Sequence, residues 1–506
     1  MTDQTSDTGF FGHPRGLSTL FFTEMWERFS YYGMRALLIL FMTAPLAIGG
    51  LAMPVEVAGA IYGTYTAMVY LMTLGGGWVA DKLLGLRRSV FWGGFLIMLG
   101  HISLALPAVP TFYFGLVLVV LGTGLLKGNI SALVGQLYGP EDIRRDAGYS
   151  LYYMGINLGG FLGPLVCGYL AQDERFRTML EGWGMSPQAS WHWGFGAAAV
   201  GMFFGLIQYV LGKHRLPASG EAPAGVKTPE EAAAARGTAG RALAIAALLI
   251  AVLAGLQMTG TIGITPAGIA VTLDWLLLVA TVGFFAWLFS VGQWTKDERR
   301  RLVVILVLFL GASVFWAGFE QAGSSLNLFA ERNTANTIFG FAYPASWLQS
   351  VNSFFIIVFA PVFAWLWIKL GARNPSSPAK FSLGLLLLAA GFGVMIFAGI
   401  AATGGEKVSP MWLISFYLLA TFGELCLSPV GLSAMSKLAP ERVAGLMMGV
   451  WFLASSVGNK IAGRMGGLYE SLSLPMIFAL TTAFPLVFAL ILAALVRPIR
   501  RMLART

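Results

Sequence analysis

Apolar runs of roughly 17–25 residues, long enough to cross a hydrocarbon layer as helices, recur fourteen times along the chain. They lie near residues 17–43, 56–79, 89–108, 111–134, 148–171, 191–211, 241–258, 270–291, 302–323, 345–369, 381–402, 411–433, 443–467 and 475–496. Two stretches break the rhythm. Residues 213–240 are polar and rich in Pro, Ala and Glu, a composition that reads as a flexible linker. The seventh and eighth spans, joined by the nearly uncharged turn from Thr259 to Gly268, carry almost no polar groups and read as a lipid-facing hairpin. The pattern therefore predicts an all-α membrane protein of fourteen transmembrane helices. A first six-helix bundle occupies residues 1–212, the linker 213–240, a two-helix insert 241–295 and a second six-helix bundle 296–506.

The exceptions inside the spans matter more than the rule. In the first span Glu24, Glu27, Arg28, Tyr31, Tyr32 and Arg35 fall within roughly 140° of one helix face, along a stripe about 16 Å long. The opposite face is Phe, Met, Leu and Ile. A charge at the bilayer centre costs ~2.5–3.5 kcal/mol on the mildest scale, so the stripe needs partners or a water-filled cavity. Burial favours the neutral form of an acid and an adjacent cation favours its carboxylate, so Glu24 and Glu27 beside Arg28 are poised to exchange a proton. Lys127, Glu320 and Glu424 repeat the pattern in the fourth, ninth and twelfth spans, and Lys127 is too far from either end of its span to reach water easily. Lys460 and Arg464 sit nearer the outer end of their span, where they snorkel or pair structurally.

Composition changes the picture little: 57% hydrophobic and 11% charged residues belong in a membrane. Charge sets the orientation. With both ends in the cytoplasm, about 24 of the 33 Lys and Arg fall in cytoplasmic segments, about 4 outside and about 5 within spans, as the positive-inside rule favours. The net charge of +9 is scattered between apolar spans rather than gathered on a soluble face, which argues against nucleic-acid binding. The first span is too long and too charged for a cleaved signal core. Cys167 and Cys426 both lie within spans and read as packing residues.

Four segments carry a family likeness. Glu24-x-x-Glu27-Arg28 with Phe29, Tyr31, Tyr32 and Gly33 resembles the first helix of the proton-dependent oligopeptide transporters, a branch of the major facilitator superfamily. Gly76-Gly77 through Asp81, Lys82, Gly85, Arg87 and Arg88 resembles the superfamily's loop between its second and third helices. Tyr149 through Asn157 to Phe161 resembles the family's signature in the fifth helix, and Phe315-Trp316 through Glu320-Gln321 the helix that opens the second bundle.

The resemblance implies proton-coupled symport of di- and tripeptides by alternating access between two bundles, with protons as coupling ion and no other cofactor. It implies a bacterial-type inner membrane location and, by fold analogy, a monomer. Glu24, Glu27, Arg28 and Glu320 would couple the proton. Arg35 and Lys127 would hold a peptide carboxylate. Glu424, with Asn157 and Asn352, would hold its ammonium and backbone, and Lys127 would pair with Glu424 across the bundles. Tyr31, Tyr32, Tyr70, Trp316, Ser428 and Trp451 occupy positions resembling the rest of the family's pocket. Glu320 would face Arg35 and gate the outer side. Asp81, Arg87 and Arg88 would lock the cytoplasmic side; Lys82 stands where the superfamily often has Arg, and makes point contacts where Arg makes a fork.

A sister transporter of nitrate, an amino-acid derivative or a peptidomimetic drug is the alternative. The intact acid pair before Arg28 argues against nitrate, because relatives carrying other substrates often lack or alter it. An intramembrane enzyme would need a nucleophile with its base or clustered metal ligands. The chain has no HExxH or GxSxG motif, and of its four histidines only His101 lies well inside a span.

Overall fold

The structure, a computed structural model, describes residues 7–139, 142–292, 294–440 and 443–503. Among these, six long helices pack as a first bundle: α1 (Arg15–Thr43), α2 (Val55–Val79), α3 (Leu86–Leu104), α4 (Val109–Gln136), α5 (Arg145–Gln172) and α7 (Ser190–Gly212). The insert is α8 (Pro229–Met258) and α9 (Pro266–Val291). The second bundle is α10 (Lys296–Phe319), α12 (Ser350–Leu370), α13 (Ser377–Ala402), α14 (Met411–Leu438), α15 (Ala444–Gly467) and α16 (Leu474–Leu503). Two short helices, α6 (Glu174–Gly182) and α11 (Ser325–Arg332), and an exposed hairpin of β1 (Thr337–Ile338) with β2 (Phe341–Ala342) complete one end. Eleven helices are long and apolar enough to cross a membrane by composition alone; α1, with its four charges between Glu24 and Arg35, is not among them.

Lipid tails are as apolar as leucine, so small residues and close backbones rather than apolar burial hold such helices together. The seam between the bundles shows this best. Gly59 and Gly63 of α2 lie against Gly463 and Gly467 of α15, and a Cβ on Gly463 would stand 2.3 Å from the Gly63 Cα. Any larger residue would force the helices apart. Further bonds across the bundles run from Ser456 Oγ to the Ala67 carbonyl (2.9 Å), from Ser350 Oγ to that of Phe161 (2.7 Å) and from Trp347 Nε1 to that of Leu165 (2.9 Å). These bonds lie where α5 ends and α12 begins, the same end of the bundles as the glycine seam, and the two bundles are closed against each other there.

Two expectations from the pattern change. The ninth span does not stop near residue 323. A capping box of Thr295 and Glu298 starts α10, which ends at Phe319, tightens into a 3-10 turn over Glu320–Gly323 and resumes as α11. The helix axis is thus interrupted at Glu320, which the apolar run could not reveal. The linker, moreover, is docked rather than loose. Lys82 Nζ donates to the Gly225 carbonyl (2.6 Å), the Gly225 N–H donates to the Asp81 carbonyl (2.9 Å) and Arg87 pairs with Glu221 (2.8 Å). Its Gly225 peptide groups found partners on the turn between α2 and α3 and its Glu221 carboxylate found Arg87 at the start of α3, and composition does not report that.

Candidate functional site

One helix, α1, carries two charge clusters. In its N-terminal half the Arg28 guanidinium bonds to Glu27 and lies 3.2 Å from Glu24 Oε1, with all three side chains almost fully buried. On α1 the set holds two acids and one cation, and Lys127 of α4 interacts with both acids. Among the described residues Glu24 Oε2, Glu27 Oε1 and Arg28 Nη2 have no hydrogen-bond partner, so a proton on either acid would supply a donor. The Arg28 guanidinium also sits 5.0 Å above the Tyr31 ring.

Seven residues further along, about 10 Å towards the C-terminal end of α1, Arg35 reaches across the bundles. Its Nη1 lies 3.2 Å from Glu320 Oε2, and its Nε donates to the Tyr62 hydroxyl at 2.9 Å. The ring of Tyr32 stacks below it at 5.5 Å. Glycine at 323 is what lets the chain approach: a Cβ there would meet the Tyr62 hydroxyl at 1.8 Å and Arg35 Nε at 2.9 Å. The interrupted axis after Phe319 aims Glu320 inward at this point.

Between the bundles a cavity of about 90 Å³ is lined by Tyr32, Arg35, Tyr70, Asn157, Trp316, Glu320, Asn352 and Glu424. Ligand pockets usually enclose about 300–1,000 Å³, so here the polar walls satisfy each other. Asn352 Nδ2 donates to Thr421 Oγ1 at 2.9 Å and to Glu424 Oε2 at 3.3 Å, and Asn157 Nδ2 donates to the Tyr153 carbonyl at 2.9 Å. Among the described residues Trp316 Nε1 is buried without a partner. The cavity thus has a guanidinium at one wall and a carboxylate at another. Those are the poles that a zwitterion of a few atoms' length would meet.

Other residues named from the sequence stand elsewhere. The Lys127–Glu424 ion pair is not formed among the described residues. Lys127 Nζ sits 3.8 Å over the Tyr70 ring and interacts with the carboxylates of Glu27 and Glu24, all within its own bundle, while Glu424 faces Asn352. Tyr31, Lys127, Ser428 and Trp451 do not line the cavity. Ser428 is one turn beyond Glu424 on α14, and the Trp451 ring packs against Gly431. The cytoplasmic lock is also different: Asp81 and Arg88 are exposed with no ion pair among the described residues, and Arg87 turns to Glu221 and the Lys213 carbonyl. The linker supplies the acid that the lock was expected to draw from Asp81.

Tyr62, Tyr153, Gln349, Thr421 and Tyr417 belong to or border the site and were not foreseen. For Tyr62 a signal existed: Tyr62, Thr66 and Tyr70 recur every four residues and so mark one polar face of α2. For the rest no spacing distinguishes them from ordinary bundle residues.

Comparison with known proteins adds the family. Residues 87–477 match the model of the POT family. The chain is 42% identical to the peptide transporter YePEPT of Yersinia enterocolitica, over 98% of this chain and 96% of that one. It is 38% identical to a di-/tripeptide transporter of Lactococcus lactis subsp. cremoris, over 98% and 97%. Its structure is similar to that of a peptide transporter POT crystallised with sulfate, with TM-score 0.88, 40% identity and 99% of both chains covered. A variant of that kind crystallised with alafosfalin gives TM-score 0.87 at 40% identity, again over 99% of both chains.

Proposed function

The chain belongs to the POT family, and we propose that it is a proton-coupled symporter that carries di- and tripeptides into the cell by alternating access. The observation that carries this reading is the pair Arg35–Glu320 at the wall of the central cavity, opposite Glu424. When Glu320 is ionised it holds Arg35 and keeps the outer side shut. A proton on Glu320 frees the guanidinium for a peptide carboxylate, while Glu424 with Asn352 and Asn157 receives the ammonium and backbone. The clamp grips the two ends and leaves the side chains free, which suits a broad range of peptides.

Glu24, Glu27 and Arg28 carry the proton that drives accumulation. Each pH unit across the membrane supplies about 1.4 kcal/mol per proton and each 100 mV about 2.3 kcal/mol per charge moved, enough to concentrate a neutral ligand. Lys127 meets the substrate carboxylate only after leaving Tyr70, and Ser428, Trp451 and Tyr31 border the site once the bundles have rocked. Asp81, Arg87 and Arg88 govern turnover at the cytoplasmic end. The transporter sits as a monomer in a bacterial-type inner membrane with both termini cytoplasmic.

The test is competition for uptake into vesicles with an imposed inward proton gradient. A peptide with an amidated C-terminus is expected to compete more weakly than its free-acid parent by ~1.5–3 kcal/mol, the worth of a charged hydrogen bond. Equal inhibition by the two would remove the carboxylate clamp, and accumulation that ignored the gradient would remove the coupling.

A further inference from the structure

The insert, apolar in sequence, contains one acid at membrane depth, and it is not idle. Asp274 lies eight residues inside α9, about 12 Å from its start. Its Oδ1 is 3.0 Å from Lys460 Nζ, and its Oδ2 accepts from the Arg464 guanidinium, with Nε at 2.9 Å. Lys460 is 6% exposed and stands seven residues, about 10 Å, from the outer end of α15. Its ammonium also donates to Thr64 Oγ1 of α2 and, at 3.1 Å, to the Ala270 carbonyl of α9. One cation therefore ties together the first bundle, the second bundle and the insert, beside the glycine seam that closes the outer side.

Packing alone does not assign α9 to one bundle: it lies against α2 as well as α15, and its Phe285 ring meets Phe309 of α10 at 4.9 Å. Around the charged cluster a cavity of about 560 Å³ separates Leu277 and Thr281 of α9 from Val457 and Ile461 of α15, with Glu56 of α2 at its edge. The polar link between α9 and α15 is the ion pairing of Asp274. When the outer side opens, α2 must leave α15 and Lys460 must leave Thr64. A lysine at that depth with no counter-ion would be expelled towards water or would hold the seam shut. Arg464, only three residues from the helix end and 37% exposed, reaches the aqueous surface without help.

We propose that Asp274 is a positioning residue of the outer gate: it makes the insert travel with the second bundle and keeps Lys460 paired while the seam with α2 opens. The opening step rests on the alternating-access reading given above, whereas the attachment of α9 to α15 does not.

The experiment uses the full chain in lipid nanodiscs, with spin labels at Val271→Cys on α9, Leu468→Cys beyond α15 and Ala52→Cys before α2, taken in pairs. As pH is swept, the α9–α15 distance is expected to stay a single narrow population, while α9–α2 changes together with α15–α2 by several ångströms, about the scale of rigid-body gate motions. Asp274→Asn is expected to broaden α9–α15 and to slow gradient-driven uptake about tenfold, a barrier change of one factor of ten. Adding Lys460→Met to that chain removes the unpaired cation and is expected to restore uptake to within about threefold of the parent. A merely structural role would not be rescued by a second core substitution.

The proposal is overturned if α9 keeps step with α2, if the Asn variant leaves both the α9–α15 distance and uptake unchanged, or if the double variant is no faster than the single. If α15–α2 shows one state at every pH, the gating reading fails by itself. The response of α9–α15 to Asp274→Asn then still decides the attachment.

Discussion

The two clusters on α1 use the same chemistry and do opposite things. Glu24, Glu27 and Arg28 pair along a single helix, at spacings of one and four residues, so they move as one body however the bundles rock. Arg35 binds Glu320 on the other bundle, so the same kind of pair becomes a contact that motion must break. A salt bridge inside one rigid element can store or pass a proton but cannot report conformation. One between elements reports conformation, and anything that competes for either partner becomes a switch. The difference lies in where the partner is anchored.

The largest expected effect tests the first half of that contrast. Glu24→Gln or Glu27→Gln should abolish concentrative uptake, a loss of at least about a hundredfold if proton entry becomes rate-limiting, while counterflow without a gradient persists. Gradient-driven uptake at the parent rate in either variant would assign the proton elsewhere.

The second test addresses the pair between bundles. With the parent protein, peptide affinity should weaken as pH rises, because the Glu320 carboxylate and the peptide compete for Arg35 and a proton on Glu320 relieves that competition. The limit is a factor of about ten per pH unit, the ceiling for one linked proton. Glu320→Gln mimics the protonated state, frees Arg35 and should leave affinity almost flat with pH in equilibrium binding. If the variant kept the parent's pH dependence, the switch would have to sit in the Glu24–Glu27–Arg28 cluster, and the contrast drawn above would collapse.

The smallest effect sharpens the comparison. Tyr62→Phe removes the hydroxyl that orients Arg35 from α2 without touching either charge. A neutral-to-charged hydrogen bond is worth about 1.5–3 kcal/mol at most, and here Arg35 keeps its carboxylate. The expected result is a several-fold gain in outward-open population, read by labelling of a cysteine in the outer seam, with coupling to protons intact. Loss of coupling in this variant would mean that the two clusters are not independent.

Much of this was legible in the chain. Fourteen apolar runs, a one-sided distribution of Lys and Arg and four ionisable side chains on one face of the first span required a membrane bundle with a polar interior, because lipid tolerates those charges only where something else faces them. The glutamates and the arginines of α1, and the acids Glu320 and Glu424, were conspicuous for the same energetic reason. What local sequence could not carry is distance across the fold. Whether Lys127 meets Glu424 or the face of Tyr70, whether Arg87 turns to Asp81 or to Glu221, and whether Lys460 stands alone or between Thr64 and Asp274 depend on which helices lie side by side in this conformation. The sequence determined that each buried charge must have a partner, since the cost of leaving it bare is set by the membrane; only the packing of three separate units decided which partner it has.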